Sequence, residues 1–184
     1  MWFFVIGELW IFTCYFACYI YDRGQNPELF LAGQQLLSRG IGVLNTIILL
    51  TSSLFVALCV QATRARDVAT ASRFLALGGG CGVLFMLVKA GEWYVKIRER
   101  LPPSLHEFFL YYFMFTALHL IHVSLGLLIL VLLWRELNPM PRRRFAAAPG
   151  AEQPRVAFIE VGATYWHIVD ALWIAIFALV YLMR

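Results

Sequence analysis

Charged residues are scarce in this 184-residue chain, in which Asp, Glu, Lys and Arg together make up 14% of the sequence. Soluble globular domains carry about 25% charged and about 45–50% apolar residues, whereas this chain is 61% apolar. The composition therefore excludes a sizeable soluble domain and indicates an integral membrane protein. The net charge of +4 is a modest basic excess. Such an excess is usual for membrane proteins and does not indicate a nucleic-acid partner.

Motifs for reactive chemistry are also missing. The sequence contains no phosphate-binding loop, catalytic triad, CxxC motif or Cys/His cluster. Cys14 and Cys18 lie one helical turn apart, so a two-Cys metal site is conceivable. We favour small apolar packing residues for them and for Cys59 and Cys81, because free Cys is among the most buried residue types. The first apolar run lacks a basic start and an A-x-A cleavage site, which predicts a retained helix and not a removed signal.

Five apolar runs are long enough to cross a bilayer, since a helical span needs about 20 residues. We predict an all-α integral membrane protein in which residues 1–184 form one bundle of five transmembrane helices. The turn signals at 25–27 and Gly33 predict a loop between the first two helices. The predicted spans are about 2–21, 40–60, 74–94, 105–134 and 157–183.

Basic residues predict the orientation of the chain. Five spans place the two termini on opposite sides of the membrane. More Arg and Lys residues lie on the side of the N-terminus, and the arginine run at 142–144 adds to that excess. The positive-inside rule then places the N-terminus in the cytoplasm and the C-terminus outside.

The last apolar run carries ionisable residues inside its predicted span. Such groups are costly in the membrane and normally face protein, water or a functional partner. Helical spacing puts polar and mostly small residues on one face, and we predict that this face packs into the bundle. Its residues are Glu160, Ala163, Thr164, His167, Asp170, Ala171 and Ile174. The opposite face is predicted to meet lipid and holds Tyr165, Ile168, Val169, Leu172, Trp173 and Ile176.

Two histidines, His119 and His122, share one face of the fourth span at a depth similar to that of His167 and Asp170. Imidazole is a common ligand of metals and haem, so a haem or metal site built from the three histidines is one hypothesis. The alternative is a hydrogen-bonded polar network between helices. We favour the network, because polar groups inside a membrane find partners but seldom hold a cofactor.

Two carboxylates lie outside this group. Glu8 is alone in the first span and is either a reactive, proton-relaying carboxylate or a carboxyl bonded to a neighbouring helix; the sequence leaves both open. Glu92 lies beside Lys89 and Lys96 near the end of its span, which predicts an ion-paired anchor at the membrane interface. A transporter or channel is a further hypothesis, based on Glu8 and the polar face of the last span.

These segments resemble those of a known family. The run at 165–173, Y-W-H-I-V-D-A-L-W, resembles the last-helix signature of subunit III of haem-copper oxidases, with Glu160 five residues before it. The run at 119–126, H-L-I-H-V-S-L-G, is similar to the preceding helix of that family, whose pattern is H-G-L-H-V-x-x-G. The segments at 7–12, 44–46 and 89–94 fit further family segments in order, so the resemblance covers all five spans.

The resemblance implies a non-catalytic accessory subunit with no haem, copper or other cofactor of its own. Subunits of this family pack on the catalytic haem-copper subunit, hold phospholipid in a V-shaped cleft and support proton uptake. Glu8 matches the family's carbodiimide-reactive carboxylate. The residues that match its other motif positions are His119, His122, Glu160, His167 and Asp170.

The resemblance also suggests a subgroup. Larger members have seven spans, and two groups have five: subunit III of quinol oxidases, which usually has a longer His-rich N-terminal tail, and NorE, which is associated with nitric oxide reductase. The start at Met1 and the short loops favour the NorE type. We therefore expect the large subunit of nitric oxide reductase as partner, in a bacterial inner membrane, with subunit III of a cytochrome c or quinol oxidase as the alternative.

Overall fold

The computed structural model describes residues 2–98, 106–137 and 153–183, and the described part of the chain is helical apart from short turns. Among these described residues, four stretches are long and apolar enough to cross a membrane: Arg39–Arg64, Val68–Arg98, Glu107–Leu137 and Val156–Leu182. The helices are α1 (Trp2–Gln25), α2 (Pro27–Gln35), α3 (Arg39–Arg64), α4 (Val68–Arg98), α5 (His106–Leu137) and α6 (Gln153–Phe177), which continues as a π-helical segment, Ala178–Leu182.

Helix α1 has 24 residues and coincides with the first predicted span. The described residues form an all-α fold, as predicted, and the four apolar stretches suit a membrane protein. That α1 is a fifth span stays a prediction.

The loop predicted between the first two spans is wrong, because this segment forms α2. Pro27 occupies the start of the helix and Glu28 its first turn. Both positions suit these residues, since a first-turn proline loses no hydrogen bond and an acidic group complements the helix dipole. Gly33 is buried against the Phe108 ring of α5, where a Cβ would not fit. The glycine therefore serves close helix packing and does not mark a loop.

A tight turn joins α3 to α4, which pack along most of their lengths. The N–H groups of Arg66 and Asp67 donate to the carbonyls of Thr63 and Ala62, both at 3.0 Å. Arg66 has a left-handed φ of 62°, so this is a Schellman ending with arginine where glycine is usual. The Asp67 carboxylate then accepts from the Thr70 N–H at 3.2 Å and its hydroxyl at 2.6 Å, which caps the start of α4.

Large aromatic side chains fix the rotation of α6. Trp166 and Trp173 are fully buried. The Trp166 ring lies between Gly82 of α4 and Gly126 of α5, where added Cβ atoms would lie 2.7 Å and 2.8 Å from it. Trp173 meets the Phe85 ring of α4 edge-on, with centroids 4.8 Å apart. Since aromatic rings bury the largest apolar areas, this face of α6 points inward.

The prediction of which face of α6 meets lipid is therefore wrong. The residues assigned to lipid are at most 5% exposed, except for the half-buried Ile168. On the predicted inward face, Ala171 and Ile174 are exposed, Glu160, Thr164 and His167 are half-buried, and Ala163 and Asp170 are buried. Helical periodicity separates most of the two faces, but it does not say which one the rest of this chain covers.

Candidate functional site

Polar side chains line the seam between α3 and α6. Trp173 Nε1 donates to Thr46 Oγ1 at 3.1 Å, and Trp166 Nε1 donates to Ser52 Oγ at 3.1 Å. Ser52 in turn donates to the Gly78 carbonyl of α4 at 2.7 Å. Because these bonds satisfy both indole N–H groups in the hydrocarbon region, they join three helices without leaving buried donors unpaired.

His167 lies further along this seam. Its Nδ1 is 2.5 Å from Ser53 Oγ, and no partner of Nε2 is found among the described residues. Asp170 is one turn away and 4% exposed. Its carboxylate oxygens have no hydrogen-bond partner in the described part of the chain, although Ser53 lies beside it. This group of three residues is the most polar part of the seam at mid-membrane depth, and it is incompletely satisfied within the chain.

Glu160 lies at the end of the seam, where it pairs with Arg64 from the end of α3. Arg64 Nη2 and Nε are 2.8 Å and 2.9 Å from Glu160 Oε1. The two side chains are 64% and 38% exposed. An exposed pair of this kind contributes about 0–1 kcal/mol to stability. The pair therefore adds little to the free energy that holds α3 and α6 together.

The two histidines of α5 have separate surroundings. His119 is fully buried, and its ring lies 5.6 Å from the Phe85 centroid and 5.2 Å from that of Trp173. Neither of its ring nitrogens has a hydrogen-bond partner among the described residues. His122 Nδ1 is 2.6 Å from the Leu118 carbonyl of its own helix, and its ring meets Phe12 of α1. The shared helical face therefore does not lead to a shared site.

The predicted network residues thus fall into three groups: His167 with Asp170, Glu160 with Arg64, and the α5 histidines in aromatic surroundings. Hydrogen bonds between the groups stay a prediction. The haem or metal hypothesis required three histidines to converge. Within residues 2–98, 106–137 and 153–183, no three His, Cys, Asp or Glu side chains are placed to share a metal ion.

A second polar cluster lies at the opposite end of the bundle, around Lys89 and Glu92. Lys89 Nζ donates to Glu92 Oε2 and to the Tyr181 hydroxyl, both at 2.7 Å, and lies 3.4 Å from the Tyr112 hydroxyl. Tyr181 donates to Glu92 Oε1 at 2.8 Å. The side chains of Lys89 and Glu92 are only 0% and 2% exposed. This closed set of bonds ties α4, α5 and the C-terminal segment together.

The ion pair expected for Glu92 is present, and Glu92 lies inside the bundle, where the whole residue is 4% exposed. Its place at the membrane interface stays a prediction. The spacing of Lys89 and Glu92 indicates that they can meet. The burial comes from Tyr181, which is 89 residues away along the chain, so helical spacing could not reveal it.

Helices α1 and α2 hold the π-helical segment through its backbone, an arrangement that sequence reasoning missed. Two side chains donate to its carbonyls, Tyr19 to Leu179 at 3.2 Å and Gln34 to Val180 at 3.0 Å, and Arg23 donates to the carbonyl of Met183, just after the segment, at 2.6 Å. The last carbonyls of a helix lack intrahelical partners, so these bonds satisfy groups that would otherwise be unpaired. The only signal in the sequence was the presence of polar residues near the ends of apolar runs.

Glu8 belongs to α1, but its side chain lies outside the described part of the chain, so its predicted role stays a prediction.

The cysteines are free. Cys59 is buried, as a packing role predicts, whereas Cys14 and Cys18 are exposed and Cys81 is intermediate. The packing interpretation is therefore wrong for the two cysteines of α1, within this chain.

Comparison with known proteins decides the family. The family model described as cytochrome c oxidase subunit III matches residues 1–184. The chain belongs to the cytochrome c oxidase subunit III family. The predicted resemblance to subunit III of haem-copper oxidases is thereby confirmed.

Relatives with known names span oxidases of two kinds. Cytochrome c oxidase subunit 3 of Synechocystis sp. is 29% identical over 181 residues, covering 98% of this chain and 72% of the relative. Cytochrome bo(3) ubiquinol oxidase subunit 3 of Buchnera aphidicola is 25% identical over 182 residues, covering 99% of this chain and 84% of the relative. Heme-copper oxidase subunit I+III of Aeropyrum pernix is 29% identical over 195 residues, covering 100% of this chain and 22% of that protein.

Proposed function

We propose that this subunit III family member is a non-catalytic accessory subunit of a cytochrome c or quinol oxidase in a bacterial inner membrane. The observation that carries the proposal is the family match over all 184 residues. Several buried or paired ionisable side chains support it, because they join helices of the chain to one another. Lys89, Glu92 and Tyr181 form one such group, and Arg64 with Glu160 forms another.

The catalytic haem-copper subunit I is the proposed partner. The Aeropyrum pernix relative is named as subunit I+III, and this chain matches 22% of its length. A fusion keeps two subunits at equal amounts and next to each other, which supports a direct contact between their counterparts as separate chains.

The relatives named above support an oxidase better than nitric oxide reductase. All three are called oxidase subunits, one of them for cytochrome c and one for ubiquinol. The short loops of this chain favour NorE, so association with nitric oxide reductase stays the second candidate. Identification of the co-purified catalytic subunit separates the two.

The proposal includes the membrane arrangement. With α1 as a fifth span, the N-terminus and the turn between α3 and α4 lie in the cytoplasm. The cluster around Lys89 and the C-terminal segment then lie near the periplasmic side. The basic residues near the α3–α4 turn, Arg64, Arg66 and Arg73, support this orientation.

Bound phospholipid is a further part of the proposal. An open apolar groove of about 250 Å³ lies between α4 and α5, lined among others by Gly79, Val83, Leu127 and Trp134. Its shape suits an acyl chain. Gly79→Leu fills the groove, whereas the control, Gly80→Leu, adds the same side chain at a position outside the lining. At either glycine an added Cβ would meet no atom within 4 Å. Purified Gly79→Leu protein should retain less phospholipid by mass spectrometry, and equal retention by both variants would contradict the lipid assignment.

Affinity purification tests the function itself. Membranes that contain the tagged chain are solubilised gently, the chain is captured, and co-purifying subunits are identified by mass spectrometry against membranes with the untagged chain. We expect a haem-copper catalytic subunit in stoichiometric amount. Recovery of the chain alone, or with a transporter or an unrelated enzyme, would overturn the proposal.

A further inference from the structure

The outward surface of α6 and the adjoining edge of α3 differ from an ordinary lipid-facing surface. We call this surface the α3/α6 face and define it by Ser53, Thr164, His167, Ala171, Ala175 and Ala178. Ala171 and Ala178 are exposed, and the other four are half-buried. The face thus combines small side chains with polar ones, and the exposed Val161 and Ile174 of α6 lie among them.

His167 lies near the middle of the 27-residue candidate span Val156–Leu182. Its Nδ1 contacts Ser53, but its Nε2 has no partner among the described residues. A polar atom left unpaired in hydrocarbon costs several kcal/mol, so ionisable groups at this depth face protein or water and not lipid. Asp170 adds to this argument, because it is buried one turn away beside Ser53 and its carboxylate oxygens have no well-aligned hydrogen bond among the described residues.

Hydroxyl groups elsewhere on the outer surface are satisfied differently. Thr51 donates to the Ile47 carbonyl at 2.8 Å and Ser124 to the Leu120 carbonyl at 2.7 Å, each within its own helix. The outward surfaces of α4 and α5 otherwise expose mostly large apolar side chains, which suit lipid: Leu84, Leu87, Leu110, Ile121 and Leu128. The unpaired imidazole nitrogen therefore distinguishes the α3/α6 face from these surfaces.

The small residues make this face suitable for another helix. Thr164, Ala171, Ala175 and Ala178 recur at helical spacing on one side of α6, and Ala171 and Ala175 form a small-xxx-small pair. Small residues let helix backbones approach closely in a membrane, where packing and interhelical hydrogen bonds drive association. The exposed Arg64–Glu160 pair adds a charged group at one end of the face, like the polar rim of an interface.

We infer that the α3/α6 face binds a transmembrane helix of the catalytic subunit, which supplies a hydrogen-bonding side chain to His167 at mid-membrane depth. The inference rests on the proposed function and adds the surface through which the subunit docks. It also accounts for the rotation of α6, since the polar face that the sequence assigned to helix packing is covered by a neighbouring subunit.

Site-specific cross-linking in the intact complex tests the surface. A photoreactive amino acid replaces Ala171 in one variant and Ala90 in a matched control, because both alanines are exposed and Ala90 lies on α4. We expect Ala171 to cross-link to the haem-copper subunit and Ala90 to give no such product. Cross-linking of Ala171 only to lipid, or to a second copy of this chain, would overturn the inference.

A packing variant gives a second readout. Ala171→Leu should reduce the catalytic subunit retained on purification about tenfold, since overpacking an interface weakens it, whereas Ala90→Leu should retain the wild-type amount. Wild-type chain is purified in parallel. If the wild type and both variants retain the catalytic subunit equally, the assignment of the α3/α6 face as the docking surface is wrong and the proposed function stands. If the wild type retains none, the proposed function itself is wrong.

Discussion

Replacement of Lys89 by Met removes one partner of the buried ion pair with little change in side-chain length. Lys89 is fully buried, its Nζ donates to Glu92 and Tyr181 at 2.7 Å, and the ammonium group lies 4.9 Å from the Tyr112 ring centroid. Loss of one partner of a buried pair typically costs about 3–5 kcal/mol, because the other charge is left uncompensated. We expect Lys89→Met to lower the free energy of unfolding by an amount in that range.

A double-mutant cycle separates the lost charge from lost packing. Buried ion pairs replaced on both sides by apolar residues are often neutral or more stable by about 1–4 kcal/mol. Lys89→Met combined with Glu92→Leu should therefore be more stable than Lys89→Met alone, although Tyr181 then loses both side-chain partners. The coupling energy between the two positions should exceed about 1 kcal/mol.

The assay is unfolding in mixed detergent–SDS micelles, followed by the fluorescence of the six tryptophans. Leu87→Met on the same helix is the control, since Leu87 is 65% exposed and surface changes usually stay within about 0.5 kcal/mol. A cost below about 1 kcal/mol for Lys89→Met, or strict additivity in the double mutant, would refute the assignment of this cluster as a structural tie.

Two further variants test the packing and the turn. Gly126→Ala should lower the free energy of unfolding by about 1–3 kcal/mol, because the added Cβ would lie 2.8 Å from the Trp166 ring. Gly91→Ala is the control, since its Cβ meets no atom within 4 Å. Equal effects of the two variants would contradict the close approach of the ring to Gly126. Asp67→Ala should cost about 1 kcal/mol through loss of the cap on α4, measured as a lower melting temperature, whereas Asp67→Asn should retain most of that stability.

Apolar runs were sufficient to locate the long helices, because a span must bury its backbone polar groups by itself and leaves a signal of about 20 residues. The motifs around His119 and His167 were sufficient for the family. The sequence pattern does not predict the short helix α2, since Pro27 and Gly33 are turn signals when the sequence is considered alone. Their roles in starting a helix and admitting the Phe108 ring depend on the tertiary structure.

The polar residues show more clearly what helical spacing cannot predict. Spacing brings Lys89 and Glu92 together, but Tyr181 completes their cluster from 89 residues away. Periodicity places His167 and Asp170 on one face of α6, yet the buried area of Trp166 and Trp173 decides that the other face points into this chain. A sequence records that a face is suited to helix packing without recording whether the partner belongs to the same chain.

The most direct test of the account is the absorption spectrum of the purified complex before and after the catalytic subunit is stripped from it by detergent. We expect haem absorption in the complex and none in the isolated chain, with all of the haem recovered in the catalytic subunit fraction. A Soret band that stays with the isolated chain and disappears in His122→Ala would contradict it, because the histidines would then hold a haem.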